Sequence, residues 1–122
     1  MSWFANLFGV TSETKSISVG ELNTLIQTSQ GKAKPFLLDV RGKDEAKQDG
    51  MIAGAKVIPL PDLAQRMAEI PKDRQVVVIC RSGRRSGMAC SQLHQAGYTD
   101  VLNMSGGMMA WTRQGLEYKS SR

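Results

Sequence analysis

The chain has 122 residues, 41% of them hydrophobic and 22% charged, proportions that fit one globular domain and exclude a disordered or fibrous chain. Its 16 basic residues outnumber 11 acidic ones for a net charge of +5, but they are scattered, and their densest cluster is one short loop, which fits a small anion and argues against nucleic acid. Two cysteines and one histidine exclude a disulfide framework and make a poor structural zinc site; no apolar run reaches the roughly 18 residues of a membrane span, and no export leader is recognisable, so a cytoplasmic setting is expected.

Residues 1–15 form an arm with Trp3, Phe4, Leu7 and Phe8 at helix-compatible spacing. The arm is expected to pack on its own domain or a second copy; the alternative is a docking helix for a partner or a membrane surface. Ser18 and Glu21 have the spacing of a capping box, and Leu22, Leu25 and Ile26 give the helix that follows one apolar face. Pro35 opens a strand over 36–40, whose continuous apolar run predicts a sheet buried on both sides. Asp39 and Arg41 stand at its end. Residues 42–49 read as a short exposed helix and 56–58 as a short strand ended by Pro59. Leu63, Met67 and Ile70 return to helical spacing, and Pro71 closes that helix.

Residues 75–79 predict a buried strand through Val76, Val77, Val78 and Ile79, which delivers Cys80 to the strand end where open α/β sheets place their ligand crevice. Arg81, Ser82, Gly83, Arg84 and Arg85 make a polar, basic loop, and a helix is expected from about Ser86, whose side-chain oxygen can serve as the N-cap. Free N–H groups at a helix start, the positive end of its dipole and three arginines all favour a thiolate and a bound anion. Along that helix Ala89, Leu93 and Ala96 share a face before Gly97 caps it, and Tyr98 can cover the end. Cys90 lies beside this face and reads as a buried packing thiol, while His94 reads as exposed. Residues 100–104 form a last strand, and Ser105-Gly106-Gly107 turns into a helix with Met108, Ala110 and Trp111 that Gly115 ends. Strands alternating with helices predict an α/β fold, a mainly parallel central sheet with helices on both faces, over residues 16–118; residues 119–122 read as a frayed tail.

The stretch Cys-Arg-Ser-Gly-Arg-Arg-Ser at 80 to 86, after a valine-rich strand, closely resembles the active-site loop of rhodaneses, the thiosulfate sulfurtransferases. Leu-Leu-Asp-Val-Arg (37 to 41), Gly-Met-Ile-Ala-Gly-Ala-Lys-Val-Ile-Pro-Leu (50 to 60) and Ala-Gly-Tyr-Thr-Asp-Val-Leu-Asn-Met-Ser-Gly-Gly-Met-Met-Ala-Trp (96 to 111) resemble the family's other motifs in the family's order. Four ordered motifs are far more specific than one. Met51 departs from the pattern, standing where many relatives carry a histidine that is not the nucleophile. The resemblance implies a rhodanese fold and places Asp39 and Arg41 in a hydrogen-bond and ion-pair arrangement near the site. The preferred reading of that pair is fold-stabilising, without a chemical role.

The resemblance further implies a double displacement. The Cys80 thiolate takes sulfane sulfur from thiosulfate or a similar small anionic donor, sulfite leaves, and the persulfide passes its outer sulfur to a thiol or sulfur-carrier acceptor, or to cyanide in an assay. Backbone N–H groups from Arg81 through Ser82, Gly83, Arg84 and Arg85 to Ser86 would stabilise the persulfide and the donor, and the three arginines would attract it. No metal or organic cofactor is expected. One alternative is a phosphatase or arsenate reductase related in fold, but such phosphatases separate cysteine and arginine by five residues, and here that position holds Ser86. The other is a non-catalytic rhodanese-like module that binds a partner or carries a persulfide; the presence of Cys80 weighs against it.

Overall fold

The computed structural model describes residues 14–120, so the apolar residues of the arm, Trp3, Phe4, Leu7 and Phe8, lie outside the described residues. Its elements are β1 (Lys15–Ile17), α1 (Val19–Thr28), β2 (Phe36–Asp39), α2 (Lys43–Asp49), β3 (Lys56–Val57), α3 (Leu63–Arg66), β4 (Val76–Ile79), α4 (Arg84–Gln95), β5 (Val101–Met104) and α5 (Gly107–Arg113). Short 3-10 turns occupy Gly31–Ala33, Leu60–Asp62 and Met67–Glu69. All pairings between these strands are parallel, in the order β1-β5-β4-β2-β3. The expected α/β fold is thus present, with a wholly parallel sheet.

Every residue of β4 is buried, because a central strand between two helical layers has no solvent face. Alternation along the strand divides it between two cores. Val76, Val78 and Cys80 join Leu38, Leu63, Ala89, Cys90 and Leu93 on the α3 and α4 side, whereas Val77 and Ile79 join Val19, Leu22, Leu37, Met108 and Trp111 on the α1 and α5 side. The capping box of α1 is formed as its sequence predicts, the Glu21 N–H donating to Ser18 Oγ and the Ser18 N–H to Glu21 Oε1, each at 3.1 Å. The helix after Asp62 is less regular than its spacing suggests, since α3 passes into a 3-10 turn at Met67 before Pro71. Tyr98 ties that turn to α4, its hydroxyl donating to the Met67 and Ile70 carbonyls at 2.9 and 2.6 Å.

Two expectations are corrected and one strand is added. The sequence reading contains no strand at β1, because its three residues carry almost no apolar pattern; pairing with Leu102, Asn103 and Met104 of β5 makes it a strand. Lys119 is not frayed, since its backbone forms an antiparallel bridge with Met51, with N–H to O distances of 2.7 and 2.8 Å. His94 is not exposed: Nδ1 lies 3.1 Å from the Tyr98 carbonyl oxygen, and Nε2 is enclosed with no hydrogen-bond partner among the described residues.

From β2 the chain crosses outward to the edge strand β3, whereas from β4 it crosses the opposite way to β5. The carboxyl ends of β2 and β4 therefore flank a topological switch point, where an open parallel sheet leaves a crevice. Asp39 and Arg41 close one side of it and Cys80 the other.

Candidate active site

Cys80 follows the last residue of β4 and is fully buried, at 0% exposure. Its sulfur is not in an apolar setting. The Gly83 N–H donates to Sγ at 3.0 Å, and Ser86 Oγ lies 3.2 Å from Sγ. Burial pushes the thiol up, but the Ser86 side chain and the backbone N–H groups of Ser86, Gly83 and Ser82 together outweigh it and hold the Cys80 pKa below its ordinary value. Donors aimed at a sulfur stabilise its charged form.

The loop closes so tightly because Gly83 adopts φ +100°, a left-handed conformation that costs glycine little. That turn makes Gly83 the N-cap of α4, so the helix begins at Arg84, earlier than expected. Ser86 is accordingly not the cap. It sits in the first turn, and its hydroxyl faces inward to Cys80 and to Asn103 Oδ1. The second glycine that matters is Gly107, at φ +60°, where an added Cβ would run into the Arg81 carbonyl and crowd the Cys80 carbonyl. This close approach lets the start of α5 grip the loop from outside: the Met108 and Met109 N–H groups donate to the Cys80 and Arg81 carbonyls at 2.8 and 3.0 Å.

The arginines separate into different environments. Arg81 and Arg84 are exposed at the rim together with Ser82. Arg85 instead reaches across to α2, donating to both Glu45 oxygens at 2.8 and 2.7 Å, so part of its positive charge is answered within the protein. That contact holds the Glu45 carboxyl below the usual carboxylate range and the Arg85 guanidinium above its own. Arg41 is buried, with its guanidinium on Asp39 at 2.7 Å and on the Gly50 carbonyl at 2.9 Å. These bonds join the end of β2 to the end of α2, the arrangement of a structural pair.

Cys90, buried one strand-to-helix layer away, is pushed up to about 12, chiefly by burial and next by the Cys80 charge. Met51 exchanges backbone hydrogen bonds with Lys119. Among the described residues no group of three or more histidine, cysteine or acidic side chains could hold a metal ion, and no helix is long and apolar enough to cross a membrane. Residues the sequence reading missed are Glu45, Asn103 and Gly107. Only Gly107 left a signal, as one of two adjacent glycines before a helix; the other two meet the loop from elements distant in sequence.

A buried cysteine with a backbone donor on its sulfur, at the strand-to-helix turn of a wholly parallel sheet, places the chain among α/β proteins with a thiol at the ligand crevice. The comparisons agree on which one. A family model described as Rhodanese-like domain matches residues 18–114, and the chain belongs to that family. It is 52% identical over 81 residues to a protein of Allochromatium vinosum named sulfurtransferase, covering 66% of this chain and 75% of that one. It is also 40% identical over 99 residues to the putative sulfurtransferase YtwF of Bacillus subtilis, covering 81% and 91%. The structure of a rhodanese-like domain protein from Staphylococcus aureus superposes with a TM-score of 0.75 at 33% identity, covering 88% of this chain and 100% of that one. The family relationship makes the chain a sulfurtransferase homologue.

Proposed function

We propose that the protein transfers sulfane sulfur from thiosulfate, or a similar small dianion, to a thiophilic acceptor through a persulfide on Cys80, in the cytoplasm. The observation that carries this reading is the set of backbone N–H groups on one buried sulfur, Gly83 at 3.0 Å with Ser82 and Ser86, which favours thiolate where burial alone would suppress it. The thiolate attacks the outer sulfur of thiosulfate, the donor's S–S bond breaks, and sulfite leaves with the bonding electrons. Cys80 then bears an anionic outer sulfur within reach of the N–H groups at the start of α4, where the helix dipole favours negative charge. A thiol, a sulfur carrier or cyanide removes that sulfur and regenerates the thiolate.

The exposed Arg81 and Arg84, with Ser82, form the entrance for the donor, while Arg85 contributes less because Glu45 holds it. Asp39 and Arg41 support the crevice floor. Neither a metal nor an organic cofactor takes part. A phosphoryl group needs its oxygens surrounded, and the loop from Cys80 to Arg85 makes a ring of N–H groups smaller than a phosphatase's; sulfur transfer needs only one terminal sulfur to arrive.

Intact mass spectrometry after incubation with thiosulfate tests the proposal. The expected result is a gain of one sulfur on Cys80, removed by cyanide, with ping-pong kinetics and negligible hydrolysis of an aryl phosphate. Hydrolysis of the phosphate without any persulfide would overturn it.

A further inference from the structure

Asn103, in β5, touches the nucleophile loop at two points without touching the sulfur. Its Nδ2 donates to the Gly83 carbonyl at 3.0 Å, which turns its Oδ1 toward Ser86. Ser86 Oγ donates to that Oδ1 at 2.5 Å while also lying 3.2 Å from Cys80 Sγ. A hydroxyl carries one hydrogen. With that hydrogen on Asn103, the contact between Ser86 and a neutral Cys80 has the thiol as donor. When the thiol proton leaves to solvent, the sulfur keeps the electron pair and faces an oxygen lone pair unless the Ser86 hydroxyl turns round.

We propose that Asn103 is a positioning residue that competes with the Cys80 thiolate for the hydrogen of Ser86. In the resting thiol, Ser86 donates to Asn103; on ionisation it turns to the sulfur and leaves Asn103 Oδ1 without that donor. Asn103 thereby sets how readily Cys80 ionises, through Ser86 alone. The Gly83 carbonyl keeps a second partner, the Gly87 N–H at 3.2 Å, so the helix start does not rest on Asn103. The charged and titratable groups around Cys80 are Arg81 and Arg84 on the loop, Arg85 with Glu45 from α4 and α2, Asp39 with Arg41 after β2, and Cys90 on α4. β5 and α5 present only neutral residues there, Asn103, Met104, Gly107 and Met108. None of these charges changes when Asn103 is replaced by a neutral residue.

This inference rests on the role given to Cys80 above, but its test reads the thiol and not the transfer. The rate of Cys80 alkylation by iodoacetamide is followed against pH in the full chain, with the modified peptide quantified by mass spectrometry. Asn103→Ala is expected to lower the Cys80 pKa by about 0.7 unit, giving roughly fivefold more thiolate below that pKa, because ionisation no longer breaks a neutral hydrogen bond. Asn103→Leu, which keeps more of the volume, should do the same if the alanine variant fails to fold. Asn103→Asp keeps the acceptor and adds a negative charge, so the pKa should rise. In a Ser86→Ala background, Asn103→Ala should have no effect. General loosening of the loop would shift alanine and aspartate variants the same way; that outcome, no shift with alanine, or a shift that persists without Ser86, overturns the proposal. The expected shifts without any persulfide would overturn only the sulfurtransferase reading.

Discussion

Cys80 and Cys90 stand ten residues apart, are equally buried at 0% exposure and belong to the same core cluster. Their chemistry diverges all the same. Cys80 lies at a strand end where the chain turns through a positive-φ glycine, so several N–H groups are free to point at its sulfur. Cys90 lies inside α4, where the backbone N–H groups are already engaged in the helix, and burial pushes its thiol to about 12. Burial alone therefore does not set how readily a thiol ionises. The supply of hydrogen-bond donors at the sulfur does.

The largest test of this contrast is the removal of each sulfur. Cys80→Ser should reduce thiosulfate:cyanide activity by roughly a thousandfold or more, whereas Cys90→Ser should keep the per-site rate, as the proposed role of Cys80 requires. Equal losses in two folded variants, measured by steady-state kinetics, would break the comparison. Next is Gly107→Ala. Its Cβ would meet the loop backbone at Arg81, so urea unfolding should register a loss of about 2–4 kcal/mol, with activity falling as the Cys80 donors are displaced.

Titration sharpens the contrast further. Half-maximal alkylation of Cys80 should come at lower pH than for an unperturbed thiol, while Cys90 should resist until pH approaches about 12. The two also oppose each other in stability. Cys80, depressed in the folded state, contributes stability above the unfolded thiol value of about 8.5 and loses it as pH falls through its folded value. Cys90, raised, contributes below the unfolded value and loses its contribution as pH rises through about 12.

The smallest effect concerns the rim. Arg84→Ala should raise the Michaelis constant for thiosulfate more than Arg85→Ala does, because Glu45 answers the Arg85 charge. Glu45→Gln should lower that constant by roughly twofold, and added salt should erase the gain, as expected for screened surface charges. A constant that stays unchanged in both Arg84→Ala and Glu45→Gln would show that donor capture does not use this charge.

Much of this was legible from residue order. A run of four β-favouring residues before Cys80, capping signals at Ser18 and Glu21 and regular alternation of strand and helix patterns lead to the parallel α/β sheet, because hydrophobic periodicity and local caps are properties of neighbouring residues. Cys80 itself was equally visible, since a strand end followed by glycine and arginines is a local pattern. What residue order could not supply was the direction of each side chain after folding. Ser86 reads as a cap until Gly83 takes the positive φ that starts the helix earlier and turns the serine inward. The Glu45 that α2 brings against Arg85 leaves no mark in the order of residues around the loop, and β1 exists only through pairing with β5. Asn103 and Gly107 act on the loop from about 20 residues or more along the chain. The amino-acid order determined most of the elements, their alternation and the place of Cys80 at a strand end; the tertiary structure alone decided what holds the Cys80 loop from outside, Glu45, Asn103 and Gly107, because those contacts join segments that meet only when the sheet brings the ends of β2, β4 and β5 together.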